Sequence, residues 1–253
     1  MSPARRAPRG AAESATAHSA GPVLPLPGGN DPIAHLEAML RRARLRRRGL
    51  LSIKQGRPVQ LGGRPLPILR ALAVDQPVGI LHFDAHADTL DEICGDKVNH
   101  ATFMRRGYEE GLIDPKRAIQ VGMRGSRFTP EDIQYGYDVG YSIITMDEYE
   151  EMGRAAAIEQ IHQVLAGGPV YISLDIDGLD PAYLPGTGVP EIGGLIPRDV
   201  QVILRSLQGM DIVGADISEV SPGYDPTGIT CVTVANLMFE MLCIIADSIC
   251  AKR

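Results

Sequence analysis

Tryptophan is absent from this 253-residue sequence, and aromatic residues make up only 5% of it. That scarcity argues against a stacking platform for single-stranded nucleic acid. Cysteine is sparse as well. Cys94, Cys231, Cys243 and Cys250 form no C-x-x-C pair and no zinc-like spacing, so they read as free thiols of a reducing cytosol. Net positive charge is missing: the chain carries −6 at pH 7, which points away from a general polyanion binder and leaves no nucleic-acid partner expected. No stretch reads as a transmembrane span. The nearest, "CVTVANLMFEMLCIIADSIC", is interrupted by Asn236, Glu240 and Asp247 at helical spacing and is expected to be a buried amphipathic helix. No membrane partner and a cytoplasmic location are the resulting expectations.

With 44% hydrophobic and 22% charged residues, the chain is long enough for one large α/β domain. Its charge is uneven, with nine Arg against three acids in the first fifty residues. Residues 1–30, rich in Ala, Pro, Gly, Ser and Arg, read as a disordered tail. Their Arg-rich, acid-poor start is also similar to an organellar transit peptide, although Pro3, Pro8 and Gly10 break any amphipathic helix. Residues 31–253 read as a single domain. It opens with a helix that Asp31 and Pro32 start. Six Arg between positions 41 and 48 read as the solvated face of that helix.

From Val59 the sequence alternates short β-branched runs with helical patterns. "PVGILHFDA", "RAIQVGMRG", "GYSIITMDE", "PVYISLDID" and "DIVGADISEV" each end in polar residues. Helices are expected at about 65–73, 154–165 and 197–207, with a last one from about Thr230. This rhythm implies a mostly parallel sheet covered on both faces. In such sheets ligands bind beyond the carboxyl ends of the strands.

Two of those strand ends carry chemistry. One is Asp84-Ala-His86-Ala-Asp88; the other, about ninety residues on, is "SLDIDGLDP" with Asp175, Asp177 and Asp180. Alternate side chains of an extended segment point the same way. Asp84 can therefore share a volume with His86, and Asp175 with Asp177. If the two strands are neighbours, four carboxylates and one imidazole converge. Uncompensated, they repel one another and some must protonate. Two divalent ions resolve the conflict, and an oxygen-rich set without thiolate favours Mn²⁺ or Mg²⁺. His82 lies on the same face but deeper in the sheet and reads as structural, while His162 sits in a helical pattern away from the site.

"HFDAHAD", "YISLDIDGLDPAYLPGTGVPEIGGL" and "GADISEVSPGYDPTGIT" resemble the ureohydrolases, the arginase and agmatinase family, and most closely the agmatinase and guanidinobutyrase branch. The resemblance covers the chain from about Val59 and implies a three-layer α/β/α sandwich. It also implies Mn²⁺, two ions per chain in the family, with Asp84 and Asp175 bridging, Asp88 completing one site, and His86 and Asp177 the other. Glu219 matches the carboxylate that holds the guanidinium, and His100 the histidine that serves as proton shuttle or acid. The implied reaction is hydrolysis of a small guanidino substrate to urea and an amine, by a homo-oligomer. Two metals lower the pKa of water so that hydroxide is available near neutral pH, a carboxylate fixes the cation, and a histidine protonates the departing amine.

The pattern breaks in two places. The family's Gly-Gly-Asp-His-Ser motif, whose histidine is a metal ligand, is replaced by Gly62-Gly63-Arg64-Pro65. A cation thus stands where a metal ligand is expected, and fewer than two metals is one consequence. The family's initial strand and pocket loop are also not evident in residues 1–58. The expectation is a domain shortened at its N-terminus, without that edge strand. A degenerate, non-catalytic subunit is the alternative reading.

Overall fold

The computed structural model describes residues 50–55 and 65–251; the expected tail, the Arg-rich helix and Arg64 lie outside them. Six strands form one sheet: β1 (Leu50–Gln55), β2 (Val78–Phe83), β3 (Ile113–Met123), β4 (Ser142–Thr145), β5 (Val170–Asp175) and β6 (Ile212–Val220). Their order is β1-β6-β5-β2-β3-β4, and every neighbouring pair is parallel. Among the described residues, six α-helices accompany them: α1 (Pro65–Leu72), α2 (Phe103–Glu109), α3 (Glu131–Val139), α4 (Met146–Leu165), α5 (Pro197–Ser206) and α6 (Ile229–Cys250).

The two central strands, VGILHF and VYISLD, are buried at every position, as parallel strands covered on both faces must be. Odd positions of β2, Leu81 and Phe83, join a core with Ile172, Leu174 and Ile217. Met146 and Ile161 of α4, Ile203 and Leu204 of α5, and Leu237 and Met241 of α6 close that side. On the opposite face Ile80, Ala118 and Tyr171 pack against Leu66 and Leu69 of α1, Phe103 and Met104 of α2 and Ile133 of α3. The result is the expected three-layer α/β/α sandwich.

Local signals set the helix ends. Thr145 and Glu148 form a reciprocal capping box at the start of α4. Gly140, at φ 96°, ends α3 in the left-handed conformation that glycine tolerates. By length and composition α6 could cross a membrane; in the fold its inner face, including Val234, Leu237, Met241 and Ile245, is committed to the core.

Three elements depart from the sequence expectation. Helices α2 and α3 were not anticipated, and β1 lies within residues 1–58, where no strand was expected. It pairs with β6 from Leu50 opposite Gly214 to Gln55 opposite Val220, so this sheet edge does carry a strand.

From β2 the chain proceeds outward through β3 and β4, then returns to the other side of β2 with β5 and continues to β6. The direction reverses between β2 and β5. Their carboxyl ends mark the topological switch point, where open α/β sheets bind ligands.

Candidate metal centre

β2 and β5 pair in register, with His82 opposite Ser173 and Phe83 opposite Leu174, so Asp84 and Asp175 emerge side by side. Asp84, Asp88, Asp175 and Asp177 are all buried, and His86 is half-buried. Two glycines allow the chain to close around Asp84. A Cβ on Gly178 would stand 2.8 Å from the Asp84 amide nitrogen, and one on Gly122 2.9 Å from its carbonyl oxygen.

The donor atoms form two overlapping groups. Asp84, His86 and Asp177 present ligand atoms within 4.8 Å of one another, and so do His82, Asp84 and Asp88. His86 Nδ1 is 3.3 Å from both Asp84 Oδ1 and Asp177 Oδ2. Backbone amides fix the carboxylates: His86 N donates to Asp84 Oδ1 at 2.6 Å, Ala85 N to Asp177 Oδ1 at 3.1 Å, and Asp177 N to Asp175 Oδ1 at 3.1 Å. Ser218 Oγ donates to Asp175 Oδ2 at 2.7 Å.

Electrostatics reflect the crowding. Burial, then the charges of Asp84 and Asp175, push Asp88 well above the usual carboxylate range. Burial and the neighbouring Asp177, Asp84 and Glu219 do the same to Asp175. Burial and Asp84 raise Asp177 to about 7. Burial acts the same way on Asp84, but His82 and His86 beside it outweigh that and hold it well below the usual range. Burial alone would lower His86; its contacts with Asp177 and Asp84 instead raise it to about 12. The metal-free cluster therefore keeps fewer negative charges than it has carboxylates, and a proton on His86 supplies part of the compensating cation. Such an oxygen-rich, buried donor set without thiolate fits a hard divalent ion.

Two non-glycine residues of this region adopt left-handed backbone, Asp88 and Glu219, both at φ 56°. Each conformation costs about 1 kcal/mol or more and persists only where surroundings impose it. At the end of β6, Glu219 is close enough to Asp175 to raise its pKa, and its Oε2 faces Gly188. His100 begins a 3-10 turn (His100–Thr102) and is exposed; it is not among the clustered donors. His162 lies on α4, its Nε2 3.1 Å from Ser206 Oγ, away from the cluster as expected.

Several supporting residues were not foreseen. Arg124, just beyond β3, donates to the carbonyls of Gly122, Asp177, Glu191 and Ile192 at 2.6–3.0 Å, which ties the turn carrying Asp177 to the 189–194 loop. Gln120 reaches His82 from β3. A small pocket opens beside His86, lined in part by Met123, Ser126, Arg127 and Asp132.

Fold and cluster together define a three-layer α/β protein with a candidate metal centre at its switch point. Residues 13–243 match the model of the arginase family. The guanidinopropionase of Pseudomonas aeruginosa is 46% identical over 195 residues, which is 76% of this chain and 61% of that protein. The mitochondrial agmatinase of Gallus gallus is 46% identical over 192 residues, 74% of this chain and 56% of its own length. This chain thus spans about 56–61% of the length of these relatives. Among solved structures, the proclavaminate amidino hydrolase from Streptomyces clavuligerus superposes with a TM-score of 0.77 at 34% identity, covering 85% of this chain and 70% of that one. The chain belongs to the arginase family.

Proposed function

We propose that this protein hydrolyses a small guanidino compound, agmatine or a guanidino acid such as guanidinobutyrate, to urea and an amine, with Mn²⁺ as its metal. The observation that carries this reading is the gathering of buried carboxylates beyond the carboxyl ends of β2 and β5: Asp84, Asp88 and Asp177 fall with His82 and His86 in donor groups within 4.8 Å, and Asp175 is tied beside them through the Asp177 amide. Family membership, with relatives named guanidinopropionase and agmatinase, supports the substrate class.

In this reading Asp84, His86, Asp88, Asp175 and Asp177 hold the metal. The metal supplies Lewis acidity, which makes water a competent nucleophile near neutral pH. The chain's own residues do the rest. Glu219, set at the end of β6 by its left-handed backbone, binds the guanidinium through charge-assisted hydrogen bonds and orients its carbon toward the carboxylate cluster. His100, at the start of its 3-10 turn, carries a proton to the departing amine. A homo-oligomer is part of the same proposal, by likeness to the family.

A second reading, a non-catalytic subunit, rests on Arg64 standing in place of the Asp-His-Ser motif. Urea release separates the two. Purified protein reconstituted with Mn²⁺ is assayed against agmatine, arginine, guanidinobutyrate and guanidinopropionate, with Asp175→Ala as the control. Urea from one substrate, abolished in the control, is the expected result. A folded sample that releases urea from none of them would overturn the catalytic reading.

A further inference from the structure

Below Asp84 and Asp175 a row of polar residues crosses the sheet: Gln120 of β3, His82 of β2, Ser173 of β5 and Asp216 of β6 are successive register partners. All four are buried, and the residues on either side of each in its strand, such as Leu81 and Phe83 beside His82 and Ile119 and Val121 beside Gln120, are buried and apolar. A buried polar side chain is retained only with partners, and the partners of His82 lead to the centre. Gln120 Nε2 lies 2.9 Å from His82 Nδ1 and donates to the Ala87 carbonyl at 2.8 Å. On the ring's other side, His82 Nε2 is 3.0 Å from Asp84 Oδ2. The Phe103 ring packs edge-on against the imidazole at 5.1 Å, which fixes its plane.

These contacts decide the direction of donation. The Ala87 carbonyl can only accept, so the nitrogen of the Gln120 amide must face it. The opposite amide orientation would set two acceptor oxygens against each other. With that nitrogen in place, its second proton points to His82 Nδ1, which must accept. The ring proton therefore sits on Nε2 and is donated to Asp84 Oδ2. In that state Nε2 has no lone pair for a metal, although it belongs to a group with Asp84 and Asp88 close enough to hold one.

We infer that His82 and Gln120 are a positioning pair: Ala87 sets the Gln120 amide, Gln120 sets the His82 tautomer, and His82 fixes the orientation of the Asp84 carboxylate toward the metal. Outer partners of this kind govern how well a carboxylate ligates. The inference rests on the metal reading above and assigns His82 a role other than replacing the missing histidine ligand.

The test is Mn²⁺ binding to the full chain, with free ion measured by electron paramagnetic resonance to give both equivalents bound and affinity. His82→Met removes the donated proton. It is expected to weaken binding by about 10–100-fold while saturating Mn²⁺ still restores the parent's full number of equivalents. His82→Gln places an amide N–H near the original Nε2 and should recover much of the loss. Gln120→Met leaves His82 in place and should weaken binding several-fold; it also covers the case in which a His82 variant fails to fold, checked by circular dichroism. Loss of one whole equivalent in His82→Met would make His82 a ligand and overturn the inference. Unchanged affinity in folded His82→Met or Gln120→Met would overturn it as well. A parent chain that takes up no Mn²⁺ would instead overturn the metal reading, and the inference with it.

Discussion

Ser218 Oγ donates a 2.7 Å hydrogen bond to Asp175 Oδ2 from the very residue that is Asp175's register partner on β6. The bond orients a carboxylate without touching what that carboxylate would bind. Ser218→Ala deletes one oxygen and changes little else. It should raise the Mn²⁺ concentration for half-maximal urea release by roughly 10-fold or more, with thermal unfolding nearly unchanged. A titration of activity against Mn²⁺ checks this.

Glu219 is proposed to grip the substrate cation. Glu219→Gln keeps the shape and loses the charge, and charge-assisted hydrogen bonds contribute about 1.5–3 kcal/mol. The expected loss in kcat/KM is therefore roughly 10–150-fold, with Mn²⁺ uptake retained. Steady-state kinetics beside a metal-binding curve distinguish loss of substrate grip from loss of the centre.

In the proposed reading, metal and protons compete for the same cluster. Metal-free, His86 is raised to about 12 and Asp177 to about 7, so both bind protons at pH 6 that a cation must displace. Mn²⁺ affinity should accordingly rise from pH 6 to pH 8, with proton release on binding. Dialysis against a chelator should lower Tm. Mn²⁺ at about 100 times its Kd should raise it again by roughly 5–10 °C. Calorimetry in buffers of different ionisation enthalpy counts the protons.

Arg117 serves stability. It projects from β3 to the end of α4, where Nε donates to the Ala166 carbonyl at 3.0 Å and Nη2 to those of Leu165 and Pro169 at 3.1 Å. These include carbonyls that a helix end leaves without intrahelical partners. Arg117→Met keeps most of the stem and removes the donors, and should cost about 1–3 kcal/mol. A lower urea midpoint at unchanged slope is the expected signature.

Asp225 anchors the approach to α6. Its Oδ1 accepts from the amides of Thr227 and Gly228 at 2.9 and 3.1 Å, and its Oδ2 from that of Thr230 at 2.7 Å. The Thr227 hydroxyl and then the Thr230 amide hold its carboxyl below the usual range. A depressed folded-state pKa contributes stability that is present above the ordinary value of about 3.9 and is lost as pH falls toward the folded one. Asp225→Asn should therefore lower the urea midpoint at pH 7, and the gap to the parent should narrow below pH 4.

The strands that hold the centre were legible because burial on both faces leaves an unmistakable pattern, as in VGILHF and VYISLD. The clustering of these side chains was legible because D-x-H-x-D and D-x-D directly follow those strands. Helices α2 and α3 were not: the first has seven residues with Gly107 inside, and the second is interrupted by Gly136, so neither offers a sustained period. LLSIKQ, half polar and six residues long, gave β1 no clear strand signature. Gln120 and Ser218 leave no local signal for a different reason. Each matters through a neighbour on another strand, and pairing across a sheet is not written in local periodicity.

The order β1-β6-β5-β2-β3-β4 also sets a schedule for synthesis. Asp84 leaves the ribosome about ninety residues before Asp175, an interval of roughly 5–18 s at ordinary elongation rates. During it the nascent chain holds one half of the carboxylate cluster, and the strand that supports the other half, β6, is made later still. Under the proposed metal reading, an ion met before β5 emerges would find too few ligands to stay, so the centre would be filled only once both strand ends are out.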